Sequence, residues 1–374
     1  MAKTNTTFTS LPEDILVMLP HYLCNIEDYT NLSSTCRKLR SCMATALPNT
    51  ILRLAAAQST TFFRPSPHFL VMATARELGN WARQSDENEA SFASHCQLQG
   101  IDGMLELALT HCGLTVQRIR ELYEMNMSII KPVTDIIDKC VGDQWYSNPR
   151  FWDGGVSDAY TISSDPDTNF FHLAIYGELF APEFDYVLTA ASGRRLGVDT
   201  RLAFVRYCIP EPCAAPEEVA STGPYARDEK GNFLDFPNQN NLAITWTIRS
   251  SRWRPHWKHF RTEVAGCEDF KDNFDDGWWY VPDLGADEEG GVDAHWRQRL
   301  YENIMICQGL EGMGMIRPGL QSAWVEQCKE WRKQIAELKE EPAMVHYGRQ
   351  ATQEYPFLLG DLRICMKGYV PGTE

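Results

Sequence analysis

Along the first third of the chain, apolar residues recur at intervals of three and four, the spacing that gathers them on one face of an α-helix. Ser10 to Met43 divides into three short helices. Ser10 and Glu13 have capping-box spacing, and Pro12 falls in the first turn, where its missing N–H does no harm. Ile15, Leu16, Leu19 and Leu23 follow at helical spacing, with Pro20 expected to end or bend the helix near Leu19. Asp28 is placed to cap a second helix through Leu32. Ser33, Ser34 or Thr35 could cap a third, carrying Cys36, Leu39 and Met43.

The stretch "TTFFRPSPH" breaks the pattern, and helical periodicity returns from Phe69 to Val141 in pieces separated by "SDENEAS" and "GIDG". Its best piece runs from Thr115 to Ile130, with Val116, Ile119, Tyr123, Met127 and Ile130 on one face and Pro132 bending or restarting the helix. Phe170 to Ala191 reads as an interrupted helix. Residues 210–241 hold prolines at 210, 212, 216, 224 and 237 and read as a long loop. "NLAITWTI", Asn241 to Ile248, alternates like a strand. "RQRLYENIMICQGLEGM" is helical, and Gln321 to Glu341 is an amphipathic helix with Trp324, Cys328, Trp331, Ile335 and Leu338 on one face. The fold class is therefore mainly α with minor β content, and no repeat of solenoid or propeller length is present.

Composition narrows the setting more than the chemistry. The 374 residues suggest two or three domains. A net charge of -15 disfavours broad affinity for nucleic acid or anionic membrane. Twelve cysteines are scattered without a Cys-x-x-Cys pair and read as free thiols of a reducing compartment. No run reaches the length of a membrane span, and "ILVML" is too short for a signal-peptide core, so a soluble intracellular protein, cytoplasmic or nuclear, is expected.

A unit of about thirty-five residues rarely buries enough surface to fold alone, so the three N-terminal helices should leave an apolar flank for something else to cover. Leu11-Pro12, Glu13-Asp14, Ile15-Leu16, Leu19, Leu23, Asp28-Tyr29, Leu32 and the run Thr35 to Arg40 follow one another in an order and spacing that resembles the F-box. That module docks substrate receptors on the Skp-type adaptor of cullin ubiquitin ligases. Pro20, Tyr29 and Thr35 depart from the usual residues of the family. The phrases "GDQWYSNPRFWDGGVSDAYTI", "IYGELF", "ENIMICQGLEGM" and "YGRQATQEYPFLLGDLRIC" are similar in character to the large F-box proteins of filamentous fungi. The resemblance implies an F-box at residues 1–50, a helical region at 51–146 and an α-rich C-terminal domain at 147–374. It implies adaptor binding through Leu11, Pro12, Ile15, Leu16, Leu19, Leu32 and Leu39, some of which must instead hold the three helices together. The partners implied are the adaptor, through it cullin, and a protein target, with no cofactor and no catalytic residue in this chain.

No phosphate loop, nucleophile elbow or His-Glu-x-x-His occurs. His256 and His259 lack a third metal ligand, and "DNFDDG" puts Phe274 where a calcium loop needs an oxygen, so no metal is expected. Arg249 to Arg261 is basic and interleaved with Trp253, Trp257 and Phe260. Glu263 to Asp293, which follows, is strongly acidic and would repel phosphate, so nucleic acid is not the expected ligand. The contrast makes Arg252, Trp253, Arg254 and Trp257 the candidate target-binding residues. Two other readings stand beside the receptor: an adaptor-bound scaffold without ligase function, and an enzyme, which a polar cluster around Asp158, His172 or Glu178 in a pocket would favour.

Overall fold

The computed structural model describes residues 8–57, 66–140, 166–189, 193–208 and 307–339, together with residues 263, 264, 297, 300, 301, 304 and 305. The protein is mainly α-helical: 83% of the described residues are helical and none of them lies in a strand. The expected strand at 241–248 lies outside the described residues.

The N-terminal region forms α1 (Glu13–Met18), α2 (Ile26–Thr35) and α3 (Arg37–Met43), after a short 3₁₀ turn at Phe8–Ser10. Pro20 ends α1 as the sequence suggests, and the chain continues as a 3₁₀ turn, Leu19–Tyr22. The caps differ from expectation. Pro12 precedes α1 with no side-chain cap bond, so Ser10 and Glu13 form no capping box. Asn25, not Asp28, caps α2, its Oδ1 accepting from the Asp28 N–H at 2.8 Å. Cys36 caps α3, its Sγ accepting from the Leu39 N–H at 3.5 Å. Ser33, Ser34 and Thr35 instead turn back on the carbonyls of Thr30 and Leu32, the local bonding open to hydroxyls inside a helix.

Among the described residues, α4 (Pro48–Ala57), α5 (His68–Ala82), α6 (Asp86–Gln99), α7 (Ile101–His111), α8 (Val116–Met125), α9 (Lys131–Cys140), α10 (Pro166–Phe180) and α11 (Pro182–Leu188) lead to α12 (Val198–Cys208). "SDENEAS" is not a break but the start of α6. Ser85 caps it, and Asp86, Glu87 and Glu89 occupy the first turn, where the helix dipole favours acidic groups. The stretch expected as one helix from Thr115 to Ile130 is α8, capped by Thr115, followed by a π-helical turn, Asn126–Ile130. That turn carries one residue more per cycle than an α-helix. Ile129 and Ile130 end up buried, whereas Tyr123 and Met127 are exposed.

The centre of the molecule is α10. Phe170, Phe171, Leu173, Ala174, Ile175, Tyr176, Leu179 and Phe180 are all buried, so the helix is apolar around its circumference and is enclosed by protein. It packs most extensively on α5, and also meets α9 and α13 (Gly309–Met313). A buried ion pair joins α5 to α11: Arg83 bonds Glu183 Oε1 at 2.7 Å, and the Leu196 N–H donates to the same oxygen. After 3₁₀ turns at Gly314–Ile316 and Pro318–Trp324, α14 (Val325–Glu337) closes the core with Val325, Cys328, Trp331 and Ile335. It starts four residues later than the sequence suggests, because residues 318–324 take the tighter 3₁₀ form. One buried cluster extends from Ile26, Tyr29 and Met43 through α4 to α12 and on to Ile335.

Candidate functional site

Two surfaces among the described residues bear on function. The first lies on the N-terminal helices. Leu16, Leu39 and Cys42 form a small buried cluster of their own, against which Leu11, Leu19, Leu32 and Cys36 pack. Lys38 Nζ donates to the Leu11 carbonyl and holds the chain start on α3. With these positions spent inside, the apolar groups left in water include Phe8, Pro12, Ile15, Val17, Met18 and Tyr22, with Ile15 47% and Met18 50% exposed. The seven residues proposed from sequence thus divide. Leu16 and Leu39 hold the helices together, Leu11, Leu19 and Leu32 are half-buried, and Pro12 and Ile15 face solvent.

The opposite side of the same unit is welded to the main core. Ile26, Tyr29 and Met43 join the large buried cluster, and the Tyr29 hydroxyl donates to the Met43 carbonyl at 2.7 Å. Burial raises the Tyr29 pKa, with Arg120 pulling the other way. Arg53 of α4 donates to the carbonyls of Pro20 and His21, both at 3.2 Å, so the 3₁₀ turn that Pro20 imposes is tied down from below.

The second surface is a cleft of about 470 Å³ between α5, α8, α10 and α13. Met72, Ala73, Leu122 and Leu310 supply its apolar lining, and Arg76, Glu77, Asn80, Arg118, Glu178 and Glu311 its polar lining. Glu178 reaches it from α10 with little exposure. Its Oε2 accepts from Arg76 Nε at 2.8 Å and its Oε1 from the Leu310 N–H at 3.0 Å. Glycine makes this possible. Gly309 has φ +73°, and a Cβ there would fall 2.1 Å from Glu178 Oε1, while a Cβ on Gly177 would fall 2.3 Å from the Gly309 nitrogen. Arg118 lies 3.6 Å from Glu311 and 3.4 Å from Glu121. Glu77 turns its Oε2 toward the Gly113 N–H at 3.0 Å.

Of the polar residues proposed to mark a pocket, Glu178 is therefore in one. His172 is not: it is buried, with its Nε2 3.1 Å from that of His68, and burial first, then His68, depresses its pKa well below the ordinary value. Asp158 lies outside the described residues, as do Arg252, Trp253, Arg254 and Trp257, the pair His256 and His259, and "DNFDDG". Sequence reading did not single out Arg76, Asn80, Arg118 or Glu311. They sit on three helices far apart in the chain, and no local spacing connects them.

Among the described residues no group of three or more His, Cys, Asp or Glu could hold a metal, and no helix is long and apolar enough to cross a membrane. No family model, curated protein or solved structure matches the chain.

Proposed function

We propose that the protein is a substrate receptor of an SCF-type ubiquitin ligase, docking on the Skp-type adaptor through its first three helices. The observation that carries this reading is the N-terminal unit. Three short helices close on a core of Leu16, Leu39 and Cys42 and leave Pro12, Ile15 and Met18 in water beside half-buried Leu11. Apolar groups clustered on an exposed helical flank mark an interaction surface, and their order in sequence resembles the F-box. The mechanism is proximity: a target held near the ligase's ubiquitin carrier meets it at raised effective concentration, and the receptor needs no catalytic group. Both oxygens of Glu178 are engaged, which supports a binding use of the cleft over proton transfer.

Interface energy concentrates in a few residues. The double substitution Leu11→Ala, Pro12→Ala should weaken adaptor binding several-fold or more, as should Ile15→Ala alone, whose side chain is largely outside the cores. Titration of the purified adaptor against each variant measures this, with thermal melting as the control for folding. Undiminished binding by folded variants would remove the proposal. Co-capture of cullin with the adaptor separates a receptor from an adaptor-bound scaffold.

A further inference from the structure

We propose that the cleft between α5, α8 and α13 is a carboxylate-binding site, gripped by Arg76 and Arg118 with Asn80, and that its ligand is an acidic side chain of the captured target. Naming the source as a target rests on the receptor reading above; the carboxylate chemistry comes from the cleft.

Both signs of charge line the cleft, so the sign of the ligand follows from which groups are already committed. Glu178 has both oxygens bonded, one to Arg76 Nε and one to the Leu310 N–H. Glu77 is drawn toward Gly113, and Glu311, 58% exposed, lies beside Arg118 at the rim. The donors are less committed. A guanidinium carries five N–H groups. Arg76 hydrogen-bonds only through its Nε among the described residues, leaving both η nitrogens, although its charge also acts on Asp185, and Arg118 uses only Nη1, toward Glu121 and Glu311. Asn80 is exposed, and its side-chain amide has no hydrogen-bond partner among the described residues.

The two guanidinium groups are also both linked to one short segment, Leu310 and Glu311. Arg76 is anchored by Glu178, which holds Leu310, and Arg118 lies against Glu311, the next residue. Forked guanidinium donors match the planar, two-oxygen face of a carboxylate. The neighbouring carboxylates would repel a phosphate dianion more strongly than a singly charged group. The volume falls within the range of about 300–1,000 Å³ usual for small-ligand sites, and Met72, Leu122 and Leu310 provide an apolar bed for the methylenes behind the carboxylate.

The test uses the full-length chain and three fluorescein-labelled heptapeptides with amidated C-termini, identical except for a central Glu, Gln or phosphoserine flanked by leucines. Anisotropy titration should show the Glu peptide binding about tenfold or more tighter than the Gln peptide, as loss of a charge-assisted pair implies. Arg76→Gln with Arg118→Gln should abolish that preference. Because those changes also remove ion pairs, Asn80 gives a second arm that breaks no contact. Asn80→Asp should weaken Glu-peptide binding several-fold and Asn80→Lys should strengthen it.

Equal binding of the Glu and Gln peptides would overturn the proposal. So would the reverse order of the two Asn80 variants, which would mean that the cleft does not hold the peptide through its carboxylate, or binding of the phosphoserine peptide alone. Free glutarate, titrated as a competitor, distinguishes the sources. Displacement of the peptide only at far higher concentration supports a target side chain, and glutarate binding tighter than the peptide would assign the cleft to a small metabolite-like acid instead. Adaptor binding measured on the same samples keeps the two proposals apart, since the Asn80 variants leave the N-terminal flank untouched.

Discussion

A helix needs an acceptor for its first free N–H groups, and in the N-terminal unit those acceptors are unequal. Asn25 offers α2 an amide oxygen at 2.8 Å, whereas Cys36 offers α3 a sulfur, a weak acceptor, at 3.5 Å. Asn25→Ala should therefore cost about 1 kcal/mol. Cys36→Ser, which supplies a preferred cap oxygen, should leave stability unchanged or raise it by a few tenths of a kcal/mol. The midpoints of chemical denaturation measure both. Which polar residue caps each helix was not legible in the sequence. Asp28, Ser33, Ser34 and Thr35 all have suitable side chains, and the choice depends on where the backbone turns extended, at Asn25 and Cys36.

His172 supplies a pH dependence whose sign is fixed by its burial. Its folded pKa is depressed by desolvation and by His68, while in the unfolded chain it returns to about 6.5. The unfolded state then binds more protons below that pH, so this contribution is present above about 6.5 and is lost progressively as pH falls through it. Melting temperature should drop between pH 7.5 and 5.5, and His172→Phe should flatten that part of the profile.

Among the helices, α14 shows how far periodicity can be trusted. Its stripe of Val325, Cys328, Trp331 and Ile335 is buried, as the spacing of its apolar residues requires, and Trp331 packs beside Trp324 with ring centroids 6.1 Å apart. The Cys328 thiol in that stripe is pushed up to about 12 by burial, consistent with a core residue and not a reactive one. Trp331→Ala should cost about 3 kcal/mol or more. A chain ending at Arg317 should melt at lower temperature than the full-length protein, and identical melting curves would mean that the helix contributes no packing.

The sequence is less informative for α8 and α10, for opposite reasons. Because α10 is buried on every side, its apolar residues have no stripe, and its neighbours cannot be deduced from its own pattern. For α8, the π turn at Asn126–Ile130 changes the phase only after Met125, so it bears on Met127 and not on Tyr123; within α8 it is Leu122, not Tyr123, that turns inward. The charged cleft was legible in neither sense. It exists only because packing brings α5, α8, α10 and α13 together, and Glu178 was its one member visible beforehand.

Taken whole, the chain has α2 and α3 built into its main buried cluster through Ile26, Tyr29 and Met43, while Leu16, Leu39 and Cys42 keep a small cluster of their own. Ile26, Tyr29 and Met43 cover residues of the main cluster, so removing the first 46 residues should expose apolar surface that the full protein hides. The expected result is a lower melting temperature and increased binding of a hydrophobic dye, together with loss of adaptor binding. A shortened chain that melts like the original would show the N-terminal unit to be an independent attachment.

Continuity of this kind has a geometric consequence for a receptor. Tyr29, Met43 and Arg53 tie the N-terminal flank to the body, and one buried cluster of described residues runs from there through α4 and α5, the helix that lines the cleft. On the receptor reading, a target seated in the cleft would stand at a set distance and angle from the adaptor, as on the arm of a protractor. Which of its lysines receives ubiquitin would then be decided by where it falls along that arc, and neighbouring lysines a few ångströms away would be passed over.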